Sequence, residues 1–280
     1  MAVMGSMKQI GDIWGREMLK FCLWALVAGL VCFLLYRILV NNTTQHLVPI
    51  SGVERDGLMA VALPASLADT LLRYEAFDVH FNPERGIANC AAYELTQGEL
   101  HGDVPRGDFM PDANVTGCAL PTDYAGSGLE RGHLVPAGDL KWSEKAMQQS
   151  FLMTNICPMT KGLNEGGWAK LEEKVREWVR RDSALLVFAG PIVSDGDSAL
   201  ARGKVTVPSR YFKVVMAPCV RPVRAIAFIY PNGNSAGRLD KYAVSVDEVE
   251  RQTRLDFFPS LPTSEQHRVE STVNLDVWLN

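Results

Sequence analysis

Histidine is scarce in this chain, five in 280 residues. His46, His80, His101 and His267 have no His or Cys partner at metal-ligand spacing, which excludes a clustered zinc site. An excess of basic residues is also missing. The formal charge is -4, and residues 1–40 hold Lys8, Arg16, Lys20 and Arg37 against Asp12 and Glu17, so the rest of the chain carries -6. A domain this acidic does not coat nucleic acid through bulk electrostatics, and any grip on phosphate must come from a few local cations. No internal repeat or low-complexity tract appears, and the 47% hydrophobic content argues against disorder and is ample for a buried core. Cysteine is sparse as well. Two of the six, Cys22 and Cys32, fall in an apolar run, leaving Cys90, Cys118, Cys157 and Cys219. Four cysteines admit three pairings, and Cys157 stands in an apolar context that suits a core position instead.

That apolar run, residues 18–40, is interrupted only by Lys20 near its start and Arg37 near its end. As a helix it reaches roughly 35 Å, enough to cross a bilayer with both cations at the interfaces. A signal peptide is the competing reading, but the exit Arg37-Ile38-Leu39-Val40-Asn41-Asn42 offers no small-x-small cleavage site. The cations preceding the span place residues 1–17 in the cytoplasm. The expected arrangement is therefore a single-pass bilayer anchor over 18–40, a linker over 41–70, and a catalytic domain over 71–280 facing the periplasm from a bacterial inner membrane. A mitochondrial inner membrane is the alternative, for which a leader carrying Asp12 and Glu17 is poorly suited.

From about residue 74 the pattern reads as one α+β domain. Residues 77–81 and 90–95 have strand character, and Asn82-Pro83-Glu84-Arg85-Gly86 between them is rich in turn formers, which predicts a hairpin. Further strands are expected at 184–189, 211–216 and 225–230. They are separated by Gly, Pro and Asn clusters rather than helical crossovers, so the sheet should be mostly antiparallel. Trp168, Leu171, Val175, Trp178 and Val179 recur at helical spacing, predicting a helix over about 165–181 with Asn164 as its N-cap. A shorter helix is expected over 246–253. Trp168, Trp178 and Tyr93 read as core residues.

The chemistry concentrates in three ordered motifs: Glu130-Arg131-Gly132-His133, then Asn155-Ile156-Cys157-Pro158, then Leu163-Asn164-Glu165-Gly166-Gly167-Trp168-Ala169-Lys170-Leu171-Glu172. Taken singly, His133 would pass for a structural histidine, Asn164 for a cap, and Glu172 with Arg176 for an ordinary i,i+4 helix pair. Together they resemble the DNA/RNA non-specific endonuclease family, whose pattern is Asp-Arg-Gly-His, Asn-x-x-Pro and Leu-Asn-x-x-x-Trp-x-x-Leu-Glu. Ala92-Tyr93-Glu94-Leu95-Thr96, Gly190-Pro191-Ile192, Val207-Pro208-Ser209 and Val246-Asp247-Glu248-Val249-Glu250 extend the likeness over about 75–262. Two departures stand out: Glu130 where the family has aspartate, and Cys90 where many relatives have tryptophan.

The resemblance implies a ββα-metal nuclease fold and a Mg2+-dependent endonuclease, with Mn2+ as an alternative ion. It would act on DNA and RNA without sequence preference and leave 5′-phosphate ends. It also implies a role for each residue. His133 would be the general base, Asn164 the direct metal ligand, and Glu172 would reach the ion through water. Arg106 and Arg176 would contact phosphate, Arg131 belongs to the histidine motif, and Asn155 would orient the site. The residue chemistry agrees. Imidazole titrates near neutrality, an amide oxygen is a hard donor suited to Mg2+, and a guanidinium fork matches phosphate. The resemblance admits a homodimer. The competing function is a nucleic-acid-binding envelope protein that keeps the fold with weak catalysis.

Overall fold

A computed structural model describes residues 54–235 and 237–279, together with Trp24, Gly29 and Val31. The expected span over 18–40 otherwise lies outside the described residues. Among the described residues no helix is long and apolar enough to cross a membrane.

The central element is a seven-stranded sheet. In chain order its strands and those of the small hairpin that carries the site are β1 (Thr70–Arg73), β2 (Phe77–Asn82), β3 (Ile87–Thr96), β4 (Glu130–His133), β5 (Ile156–Met159), β6 (Ala184–Ile192), β7 (Arg210–Ala217), β8 (Arg224–Pro231) and β9 (Ala243–Val244). The large sheet runs β9-β8-β7-β6-β3-β2-β1, every neighbouring pair antiparallel. The α+β class and the antiparallel sheet are as the sequence leads one to expect, and the predicted hairpin is β2–β3, turning over Asn82 to Gly86. Asn82 Oδ1 accepts from the backbone N–H of Glu84 and Arg85, and Gly86 completes the reversal at φ +64°.

Both faces of the sheet are buried, which is why the central strands read as continuous apolar runs. Alternation then sorts the side chains by face. Leu185, Val187 and Ala189 of β6 pack with Tyr211 and Val215 of β7 on the face that carries the site. Leu186, Phe188, Phe212, Val214 and Met216 point the other way. That second face is covered by helices over Val246–Thr253 and Thr263–Ser271 and by Phe257 and Phe258. The predicted helix over 246–253 is present, capped by Ser245, whose Oγ accepts from the N–H of Glu248.

Residues 55–70, assigned to the linker on composition, carry a helical turn at Arg55–Met59 and a short strand at Val61–Ala62 paired with Asp256–Phe257, with Leu58 and Val61 buried. Turn-forming Gly57 and Pro64 mask these apolar anchors in the sequence. Cys90, Cys118, Cys157 and Cys219 are all free thiols, and Cys90 and Cys157 are fully buried core residues.

Candidate active site

The site is built from β4, β5 and the helix that follows, α2 (Ala169–Asp182), with the insertion between β4 and β5 folding over it. That insertion contains α1 (Glu144–Ser150). β4 and β5 pair in register Glu130↔Met159 through His133↔Ile156. Gly132 faces Met159 so closely that a Cβ would lie 2.3 Å from its sulfur, so the glycine of the motif is a packing requirement.

The entry to α2 differs from the expected N-capped start. Helical winding begins at Lys161, and Thr160 does the capping, its Oγ1 accepting from the Leu163 N–H. Residues Leu163–Trp168 then form a widened turn with i→i+5 character, and Gly166 leaves helical geometry altogether at φ -101°, ψ -106°. Asn164 is thus not an N-cap. It sits in the wide turn, and a projection at a uniform 100° per residue does not hold across it. Gly166 supplies the non-helical backbone of the turn, and Gly167 lets it pack closely, since a Cβ there would fall 2.6 Å from the Tyr230 ring and 2.8 Å from Ser235.

Freed from capping, the Asn164 side chain turns to β4. Its Nδ2 donates to Glu130 Oε2 at 2.7 Å, which fixes the amide and leaves Oδ1, a hard oxygen donor, without a hydrogen bond among the described residues. Glu130, the family's aspartate lengthened by one methylene, therefore still has a partner within the site. A second tie joins the same elements: Trp168 Nε1–H donates to the His133 carbonyl at 3.0 Å.

His133 is buried between two aromatic rings, 5.4 Å from Phe109 and 4.8 Å from Phe151 between centroids, and its Nε2 has no hydrogen-bond partner among the described residues. Burial, and then the positive charge of Arg106, push its pKa down to about 3. The imidazole is thus neutral at physiological pH. The guanidinium of Arg106 stacks 5.2 Å from the Phe151 centroid and that of Arg131 4.4 Å from that of Phe109. Both arginines are exposed, so an alternating layer of cation and ring flanks the histidine.

Asn155 is fully buried and spends its amide on backbone: Oδ1 accepts from Val135 N–H at 3.0 Å, and Nδ2 donates to the carbonyls of Val135 and Ser150 at 3.0 and 2.9 Å. It staples the chain leaving His133 to the end of α1. Arg176 is engaged by carboxylates: Nη1 binds Asp139 Oδ1 at 2.8 Å, and Nε and Nη2 reach Glu173. Asp139 is fully buried and also accepts from the Tyr93 hydroxyl. Glu172, one helical turn before Arg176, makes no hydrogen bond to protein among the described residues. Burial raises its pKa and the positive charge of Lys213 opposes the rise.

Lys213 and Asp139 are buried charged residues at the site that the motifs did not flag. Lys213 is fully buried on β7, its ammonium 4.3 Å over the Trp168 ring. Its signal was a lone charge inside the apolar strand Tyr211 to Met216, at the inward-facing parity of Tyr211 and Val215. Asp139, six residues past His133, offered none. Trp168, Trp178 and Tyr93 are core residues.

A family model described as DNA/RNA non-specific endonuclease matches residues 54–264. A nuclease of a Nostoc species is 32% identical over 213 residues, covering 71% of this chain and 76% of that protein. The human mitochondrial nuclease EXOG is 33% identical over 209 residues, and the match spans 67% of this chain but only 56% of that protein. Among solved structures, a chain of the EndoG/EndoGI complex superposes with a TM-score of 0.68 at 22% identity, covering 76% of this chain and 95% of its own, which shows a shared fold. The chain belongs to the DNA/RNA non-specific endonuclease family.

Proposed function

We propose that this protein is a Mg2+-dependent endonuclease, with Mn2+ as an alternative ion, that hydrolyses DNA and RNA without sequence preference and leaves 5′-phosphate ends. The observation that carries the reading is the pairing of a neutral, unpartnered His133 with an Asn164 whose Oδ1 is held free by Glu130 on the same hairpin.

Phosphodiester hydrolysis requires a deprotonated water, neutralisation of developing charge and help for the leaving oxygen. His133 accepts the proton from water. Its neutrality is what a base needs; burial is the larger cause of its depressed basicity, and incoming phosphate offsets the smaller contribution of the Arg106 charge. Arg106 and Arg131 lie exposed beside it and bind phosphate oxygens, stacked on rings that keep their forks oriented. Arg176, tied to Asp139 and Glu173, contributes a fixed positive charge to the developing dianion. Asn155 positions His133 through the backbone. The donor set suits a small hard cation: one amide oxygen, with a carboxylate on the following helix to hold its hydration. Asn164 would hold such an ion directly and Glu172 through water, and the ion would supply positive charge to the phosphate and to the leaving oxygen.

Residues 18–40 would anchor this domain in a bilayer, with the site facing the periplasm. Incubating the purified full chain with supercoiled plasmid and with RNA in Mg2+ tests the proposal. Cleavage that EDTA abolishes is expected, and binding without turnover would refute it in favour of an envelope protein that only binds nucleic acid.

A further inference from the structure

Two helices, α3 (Val246–Thr253) and α4 (Thr263–Ser271), cover the face of the large sheet that lies away from His133 and Asn164. Three carboxylates converge between them. Asp247 and Glu250 come from α3 and Glu270 from α4, and one oxygen of each lies within 4.8 Å of those of the other two. Glu270 is the buried member: it is 5% exposed, and its Oε1 has no hydrogen-bond partner among the described residues. Taking a carboxylate oxygen out of water without a partner is costly, so the orphaned atom points to a ligand. The side chains nearest in sequence that could serve it are engaged elsewhere. Arg251 of α3 pairs with Glu248, Arg268 of α4 pairs with Glu265, and the Gln266 amide donates to Asp256 and to the Phe257 carbonyl. The Phe257 N–H in turn donates to Glu250 Oε1, which fixes that carboxylate in place.

Three carboxylates this close repel one another unless protons or a cation intervene. The spacing suits one ion. Calcium binds oxygen at about 2.4 Å, so two oxygens on the same ion lie up to about 4.8 Å apart. Magnesium dehydrates reluctantly and keeps several waters, which a set containing a buried carboxylate serves poorly. We propose that Asp247, Glu250 and Glu270 form a structural calcium site that ties α3 to α4. The ion gives Glu270 Oε1 the partner it lacks, and it adds a polar link between helices whose Val249 and Val269 share one apolar core. None of the three residues belongs to the nuclease site, so this proposal and the nuclease reading can fail separately.

The test is calorimetry and thermal melting of the full chain, stripped with EDTA, desalted and titrated with CaCl2. An Asn164→Ala background removes the other proposed cation ligand. One calcium should bind per chain with a Kd below about 1 mM. Saturating CaCl2 should raise Tm by at least about 3 °C, and MgCl2 at the same concentration should raise it less. E270Q and D247N should each weaken calcium binding at least about tenfold and cancel most of the rise in Tm. Absence of calcium binding up to about 10 mM would overturn the proposal, as would binding that neither substitution weakens or an equal rise in Tm with MgCl2. Where both substituted chains fail to fold, a calcium-soaked crystal of the wild type decides. Anomalous density between the three carboxylates supports the site, and its absence there overturns it.

Discussion

Replacing Asn155 by alanine separates a chemical role for that side chain from a positional one. In the structure the amide makes three hydrogen bonds, all to backbone: one from Val135 N–H and two to the carbonyls of Val135 and Ser150. Truncation leaves those three buried groups unpaired, at about 1–3 kcal/mol each. The lower end applies where a water enters the space left behind, so the expected loss is about 3–5 kcal/mol. Asn155→Asp should be at least as damaging at pH 7. It keeps the acceptor for Val135 N–H but turns a desolvated carboxylate oxygen toward two carbonyls, and it should recover partly as pH falls and the carboxyl becomes a donor. Urea unfolding of the full chain, followed by tryptophan fluorescence, measures both, and turnover per folded molecule is measured alongside. A stability loss under about 1 kcal/mol together with a hundredfold or greater fall in kcat would refute the reasoning, since it would place Asn155 in the chemistry rather than behind it.

Three further outcomes follow from the same geometry. Glu130→Ala removes the acceptor that fixes the Asn164 amide, so the Mg2+ concentration giving half-maximal cleavage should rise about tenfold or more, whereas Glu130→Gln, which keeps an acceptor, should rise less. An unchanged Mg2+ dependence in the alanine variant would show that the contact is incidental. Burial, and then the charge of Glu250, push Glu270 up to about 8, so folding takes up a proton above the ordinary carboxylate range and stability is lost as pH rises toward 8. Glu270→Gln should thus leave the urea midpoint unchanged near pH 4.5 and raise stability by about 1–2 kcal/mol near pH 8, after allowance for partial solvation. A loss of stability at both pH values would contradict this. His133 is held neutral well below its ordinary pKa, so the acidic limb of kcat/KM, which reports the free enzyme, should fall below pH 6. An acidic limb at 6.5 or above, absent in a histidine-independent control reaction, would contradict that environment.

The elements most legible in the sequence were those with a clean period or punctuation. The β2–β3 hairpin announced itself through Asn82 to Gly86, and the body of α2 through its tryptophan, leucine and valine stripe. What escaped was local geometry that periodicity does not encode. Asn164 looked like a cap because caps and metal-binding amides draw on the same residue type. Only the wide turn enabled by Gly166 and Gly167 shows that Thr160 caps and Asn164 turns toward Glu130. Motif order brought His133, Asn164 and Glu172 into one list, but it carried no information on the floor beneath them. Lys213 and Asp139 come from β7 and from the loop after His133, so the contact of Lys213 with the Trp168 ring and of Asp139 with Arg176 is a consequence of sheet topology. Arg176 is a phosphate contact by motif position, and the structure adds that its fork is largely spent on Asp139 and Glu173.

Proton removal from water by His133, at a site where Asn164 would hold the metal, is read from the initial rate of plasmid nicking by the full chain at saturating Mg2+, wild type beside His133→Ala. A positioned general base contributes about 10²–10⁴ in rate, so the variant should be slower by that factor while binding the plasmid as tightly as wild type. His133→Ala nicking at the wild-type rate would contradict the account.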